Sequence, residues 1–175
     1  MAAIPQARDG SDRPCRLAPF APVWAELVLS WVRDAREAYW LAPKSRPPLT
    51  AAEILRWARP DHEPYMLLQA EQRAPIGYGE LNRLVGGQRQ YWLGHLVVDP
   101  ALRGRGYGVQ LTALLLQEAF EQRGATRVTL VLFPDNTAAL ACYRAAGMVD
   151  DGREWHTFPA YGRREGLVRL AAVRP

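Results

Sequence analysis

Apolar residues recur along the chain at two spacings, and the secondary structure changes where one gives way to the other. After a short strand-like segment at Cys15–Pro19, Trp24, Leu27, Val28, Trp31, Val32 and Ala35 fall at i, i+3, i+4 and i+7 intervals. That stripe predicts an amphipathic helix over residues 21–38. Pro43, Pro47 and Pro48 end it and force a loop. Thr50, followed three residues on by Glu53, is a capping box that opens a short helix to about residue 59, where Pro60 stops it. The period then falls to two. Residues 65–70 and 76–82 read as strands, and Gly86-Gly87 reads as a two-residue hairpin turn between 76–84 and 91–98. Helical spacing returns over 106–123, with Leu111, Leu114, Leu115 and Ala119 as the core stripe and Gly124 as terminator. The apolar run 128–133 suits a central parallel strand, and 136–146 is a helix closed by Gly147. Weaker strand patterns follow at 153–157 and 167–173. The order predicts a mixed α/β sheet (α+β in its segregation of strands) with helices on it and one βαβ unit at its centre.

Composition adds bounds. At 175 residues, 49% apolar and 23% charged, the chain has the size and balance of one globular domain. We expect a flexible lead over residues 1–13 and a single domain over 14–175. Apolar runs as short as 113–116 exclude a membrane helix. The first residues lack the apolar segment of a secretion signal, which points to a cytoplasmic protein. Cys15 and Cys142 lie far apart, without zinc spacing, and read as two free thiols; no metal is expected. The net charge is +4, and Lys44 is the only lysine among 22 basic residues. The arginines are scattered, so the surplus fits an anionic ligand better than a nucleic-acid stripe.

The densest chemical signal is the run from Val97 to Gly108, in which a strand passes through Asp99-Pro100-Ala101-Leu102-Arg103-Gly104-Arg105-Gly106-Tyr107-Gly108 into a helix. Glycines let a backbone approach a bound group closely, and the free N–H groups of a helix's first turn favour an anion. Arg103 and Arg105 are expected to add two guanidinium charges at the rim. The pattern predicts a phosphate or pyrophosphate cradle. A P-loop is excluded because it needs Gly-Lys-Ser/Thr, and the lone lysine is Lys44. A dinucleotide fingerprint is excluded because Val109 or Leu111 stands where glycine or alanine is required.

Arg103-x-x-Gly106-x-Gly108 resembles the Arg/Gln-x-x-Gly-x-Gly/Ala motif of the GNAT (Gcn5-related) N-acetyltransferases. Leu96-Val97-Val98-Asp99-Pro100 resembles that family's fourth strand. Asn136-x-x-Ala139-x-x-x-Tyr143-x-x-x-Gly147-Met148 resembles its next helix and exit, with Met148 in place of the usual Phe. The likeness is specific over residues 91–149. It implies a mostly antiparallel mixed sheet flanked by about four helices and splayed between its fourth and fifth strands, with acetyl-CoA in the gap as co-substrate. It also implies that backbone groups of Leu96, Val97 and Val98 pair with the pantetheine arm. The N–H groups of Arg103, Gly104, Arg105, Gly106, Tyr107 and Gly108 would hold the pyrophosphate.

Acyl transfer from a thioester to an amine needs a neutral nucleophile, a donor for the developing oxyanion, and a proton for the departing thiolate. Asn136 and Tyr143 are seven residues apart, about two helical turns, and so share a face. Tyr143 is the candidate acid towards the CoA sulfur, with Asn136 near the pantetheine or the helix start; a packed core tyrosine is the alternative. Cys142 points elsewhere and reads as a small core residue. For the base, a two-residue turn at Gly86-Gly87 would pair Tyr78 with His95 and Glu80 with Leu93, bringing Glu80 and His95 to one face as a carboxylate–imidazole relay. A satisfied sheet histidine and a solvated glutamate are the alternatives, and a one-residue register slip would change the pairing. His62, in a proline-flanked loop, and His156 have no nameable partner. Trp24, Trp31 and Trp57 read as core, whereas Tyr39, Trp40 and Trp155, near Arg33, Asp34, Arg36 and Glu37, are left open as an acceptor wall. The chemistry so reached is N-acetylation of a primary amine in a ternary complex. The acceptor is a small molecule or a protein N-terminus or lysine. Its rivals are a non-catalytic acyl-CoA-binding domain and an arginine-rich RNA-binding module. Oligomeric state, monomer or homodimer, stays open.

Overall fold

Seven strands form one sheet in the order β1 (Cys15–Pro19), β2 (His62–Gln69), β3 (Pro75–Arg83), β4 (Gln90–Val98), β5 (Arg127–Leu132), β7 (Arg163–Val173) and β6 (Val149–Phe158). The computed structural model describes residues 14–70 and 74–174, so the expected lead over 1–13 lies outside the described residues. All neighbouring strands are antiparallel except β4 and β5, which run parallel as the βαβ reading required. The described helices are α1 (Ala25–Ser30), α2 (Ala35–Leu41), α3 (Ala51–Leu55), α4 (Tyr107–Gln117) and α5 (Thr137–Ala145). Among the described residues, no helix is long and apolar enough to cross a membrane.

The helix expected over 21–38 is in fact two. Asp34 takes an extended conformation and its carboxylate accepts the N–H of Glu37 at 2.8 Å, so it caps a new helix. Asp34-x-x-Glu37 is the same signature that correctly opened α3 at Thr50-x-x-Glu53. This division accounts for five helices where about four were expected. The late strands are also longer than their weak patterns suggested, because Gly162 and the segment Pro159–Tyr161 join β6 to β7 as a long antiparallel pair.

Side chains alternate across β3, and the two faces feed different cores. Leu81 joins Leu111, Leu115 and Ala119 of the α4 segment in one cluster, with Val128, Leu130 and Met148. Tyr78 of the opposite face joins Met66, Val28, Ile54, Trp31 and Trp57 beneath α1 and α3. Removing a large apolar side chain from water stabilises by ~1.5–3 kcal/mol, so both helical layers are held chiefly by this burial. The reading of Trp31 and Trp57 as core is correct. Trp24 is half-buried against the same cluster.

Two irregularities in the centre of the sheet place the site. The parallel pairing of β4 with β5 runs only through Gln90–Arg127, Tyr91–Val128 and Trp92–Thr129. Beyond Trp92 the two strands share no ladder, which leaves a gap in the pairing between them. Against β3, the register jumps between Glu80–Gly94 and Tyr78–Val97. Gly79 therefore faces two residues, His95 and Leu96, which is a β-bulge. His95 accordingly adopts a left-handed φ of 50°.

The hairpin expected from Gly86-Gly87 is corrected here. The last paired residues are Arg83 and Tyr91, and residues 84–89 form a longer loop with Gly86 and Arg89 at positive φ. Glu80 thus pairs with Gly94 rather than Leu93, and Tyr78 with Val97 rather than His95.

The bulge depends on Gly94. A Cβ there would lie 2.6 Å from Trp92 Cζ3 and 3.0 Å from Asn82 Nδ2. We predict that Gly94→Ala lowers stability by about 2 kcal/mol, measured by urea unfolding. An unchanged midpoint would mean that the bulge relaxes without cost.

Candidate active site

Asp99 begins the turn after β4 by accepting the N–H of Ala101 at 2.9 Å. Leu102 N–H reaches Asp99 O at 2.9 Å, and the chain then passes through Gly104 (φ 75°) and Gly106 (φ 81°) into α4. Both conformations are left-handed, which explains glycine at these positions. Gly108 serves packing instead, since a Cβ there would meet Cys142 Sγ at 2.9 Å. Buried Tyr107 anchors the helix start by a hydrogen bond to Gln69 of β2. The first intrahelical bond outside the helix proper is Gln110 N–H to Gly106 O, so the N–H groups of Gly106 to Val109 have no acceptor within the helix. On β4, Asp99 N–H donates to Ile76 O at 2.9 Å; alternation then turns the N–H groups of Leu96 and Val98 away from β3, into the gap.

The two arginines of the loop differ from what was expected. Arg105 is exposed. Arg103 is not a free rim charge, because its guanidinium is engaged with the protein. Nε donates to Val98 O at 3.0 Å, Nη1 to Glu37 Oε1 at 2.7 Å, and Nη2 to Trp31 O at 2.9 Å and Glu37 Oε2 at 3.3 Å. Its backbone N–H turns back to Pro100 O at 3.5 Å.

On the other face of β3 and β4 sits a buried carboxylate. Glu80 is 0% exposed and accepts hydrogen bonds from Tyr78 Oη at 2.7 Å and Asn82 Nδ2 at 3.0 Å. His95 Nδ1 lies 2.9 Å from Oε1, and His62 Nδ1 lies 3.7 Å from Oε2. The expected Glu80–His95 contact therefore exists, produced by the bulge rather than by the expected register. Burial alone would push the Glu80 carboxyl up; the nearby His62 ring and hydrogen bonds from His95 and Asn82 outweigh it and hold the group down at about 2. An ionised carboxylate only accepts, so His95 presents Nδ1–H to it and keeps Nε2 as the basic nitrogen. Trp57 stacks on the His95 ring at 3.9 Å and 4°.

The sequence did not place Asn82, His62 or the Trp57 stack in this cluster. His62 starts β2 rather than lying in a loop, and its Cα partner is Asn82. Its role becomes visible only once the β2–β3 register is known. Trp57 was recognised as core, without its stack on His95. His156 does have a partner, Glu154 at 2.9 Å, but on the outer strand β6.

Beyond β5, Asn136 caps α5, its Oδ1 accepting Ala139 N–H at 3.3 Å. Tyr143, two turns on, packs partly against the α4-side core. Burial pushes the phenol up, so it holds its proton at neutral pH. Cys142 is half-buried against Gly108, and burial pushes its thiol up to about 11, as befits a packing residue; both cysteines are free. Of the residues left open, Tyr39 is buried in a ring cluster with Phe133 and Phe158, Trp40 packs against that cluster under Arg36, and Trp155 is exposed beneath Arg164. Among the described residues, no group of three His, Cys, Asp or Glu side chains is placed to hold a metal ion.

The depressed Glu80 carboxyl ties stability to pH. A group lowered in the folded state stabilises above its unfolded value and loses that contribution as pH falls through the folded one. Between pH 4.5 and about 2, the protein should lose a few kcal/mol through this group. Glu80→Gln should flatten that acid limb in urea titrations at stepped pH, and an acid limb as steep in the variant would assign it to other carboxylates.

The model of the acetyltransferase (GNAT) family matches residues 26–148. An uncharacterised protein of Mycobacterium leprae is 35% identical over 98 residues, covering 55% of this chain and 26% of that protein. The chain thus spans about a quarter of the length of this curated relative. Among solved structures, a GNAT-family acetyltransferase from Bacillus anthracis superposes with a TM-score of 0.76 at 16% identity, over 93% of this chain and 95% of that one. The spermidine N-acetyltransferase of Vibrio cholerae, bound to CoA and spermine, gives 0.74 at 16%, over 91% and 95%. The aminoglycoside acetyltransferase AAC(6')-Ib, bound to coenzyme A and kanamycin, gives 0.72 at 19%, over 92% and 95%. At these identities the structural likeness speaks for the fold. The matched family span takes in the split between β4 and β5, the bulged strand, the glycine turn and α5, and so the chain belongs to the GNAT acetyltransferase family.

Proposed function

We propose that the protein is an acetyl-CoA-dependent N-acetyltransferase that moves the acetyl group to a primary amine by direct attack in a ternary complex. The observation that carries this reading is the glycine turn feeding the free N–H groups at the start of α4, beside a strand whose outer edge is unpaired. The pyrophosphate sits on the N–H groups of residues 103–108. The pantetheine arm pairs along Leu96–Val98. In the chemical step the amine nitrogen attacks the thioester carbonyl, and an N–H of the open β4 edge stabilises the oxyanion. The amine proton goes to His95 Nε2, directly or through water, while ionised Glu80 stabilises the imidazolium. Tyr143 donates to the departing thiolate. A phenol is a weaker acid than a thiol, so this bond supports the leaving sulfur rather than protonating it outright.

The acceptor enters on the side of α2, β6 and β7. Carboxylates there are already engaged: Asp34 caps α2, Glu37 is clamped by Arg33 and Arg103, and Asp135 pairs with Arg36. A polycation, which needs several counter-charges, is therefore served less well than a monoamine or a peptide N-terminus, which needs one. Kanamycin and spermine, ligands of the structural relatives, belong in the test panel beside monoamines and short peptides.

Calorimetry with acetyl-CoA should show micromolar binding, and thiol release should single out an amine from the panel. Binding without turnover on any amine would favour the non-catalytic reading. Tyr143→Phe should lower kcat by ~10–100-fold and leave the CoA Kd within about threefold; an unchanged kcat would return Tyr143 to the core.

A further inference from the structure

Residues 31–39 are fastened to both lips of the β4–β5 gap. On the β4 side, the Arg103 guanidinium joins three segments at once: the end of β4 through Val98 O, the end of α1 through Trp31 O, and α2 through both oxygens of Glu37. Arg33 clamps the same carboxylate, with Nη2 at 2.6 Å and its backbone N–H at 3.1 Å. Burial would raise the Glu37 carboxyl, but the two arginines hold it at about 2, so the cluster stays charged. On the β5 side, the adjacent Arg36 pairs with Asp135 at 3.0 Å, just before α5. One turn further, Tyr39 packs on Phe133 at the end of β5, with ring centroids 4.7 Å apart. α2 thus bridges the mouth of the gap.

A helix of seven residues has little stability of its own, so these attachments decide where it lies. They are unequal. Arg36 and Asp135 are well exposed, and such pairs contribute little. Arg103 and Glu37 are only 31% and 16% exposed, and their bidentate geometry is the stronger kind. Arg103 also stands in the turn whose backbone meets the pyrophosphate. Reaching a phosphate with its guanidinium would first break four hydrogen bonds.

We infer that Arg103 is a positioning residue that couples the coenzyme turn to the acceptor-side helix: acetyl-CoA on the turn fixes Arg103, Arg103 fixes Glu37, and α2 is thereby set for the amine. This rests on the acetyl-CoA reading above. Because coupling between sites is reciprocal, the amine strengthens CoA binding by the same factor.

Hydrogen–deuterium exchange of residues 31–41, with and without CoA, tests this on the full chain and needs no knowledge of the acceptor. Wild type should show about tenfold slower exchange of this segment with CoA. In Glu37→Gln the slowing should fall below about twofold, while calorimetry gives a CoA Kd within about threefold of wild type. Arg103→Gln and the double variant should lose the slowing to the same extent as Glu37→Gln, as expected for one shared interaction. With the amine found by screening, Glu37→Gln should raise its KM about tenfold and leave kcat within about twofold. Three results would overturn the inference: protection by CoA that survives in Glu37→Gln, protection by CoA that survives in Arg103→Gln, or kcat falling with KM unchanged. Failure of wild type to bind CoA would overturn the functional reading itself, and the coupling with it.

Discussion

Parallel pairing between β4 and β5 stops after Trp92–Thr129, and the site is arranged around that interruption. A central strand with one unpaired edge in a folded core is costly, because backbone N–H and C=O groups without partners lose hydration. Here the ladder with β5 ends at Trp92, so the β5-facing groups of β4 beyond it have no strand partner. The bulge at His95–Leu96 works in the same place: it takes β4 out of regular register with β3 and brings an imidazole onto a buried carboxylate. The unpaired edge of β4 and the histidine–carboxylate pair thus arise from two faults in one strand.

Glu80 shows why the second fault is tolerated. A buried charge without partners costs several kcal/mol. Tyr78, Asn82, His95 and His62 surround this one, and together they keep it ionised. The same ionisation orients the imidazole, since a carboxylate can only accept. Stability of the pocket and the tautomer of its base therefore follow from a single electrostatic arrangement.

Legibility in the sequence followed the range of each interaction. α3, α4, α5 and the run into β5 rest on local caps, stripes and terminators, and they lie where the pattern puts them. The break at Asp34 was equally local, but the apolar stripe through Ala35 hid it. The hairpin register was not local in that sense: Gly86-Gly87 resembles a tight turn, yet the ladder ends at Arg83–Tyr91. Whether Glu80 meets His95, and whether His62 joins them, depends on a bulge and on the β2–β3 register, which no short window of residues contains. The glycine turn could be recognised because backbone conformation and anion binding are both properties of neighbouring residues.

Arg103 marks the boundary of that recognition. A cation beside a phosphate cradle invites assignment as a phosphate ligand, yet its guanidinium is engaged with Glu37 and two main-chain carbonyls. Charge in sequence proximity says that an arginine can reach an anion; it does not say which one. A carboxylate 66 residues away in the chain, fixed on a helix and shielded from water, competes well with a mobile ligand in solvent. Backbone N–H groups that open a helix have no such intrahelical rival, whereas the arginine braces α2 against the end of β4.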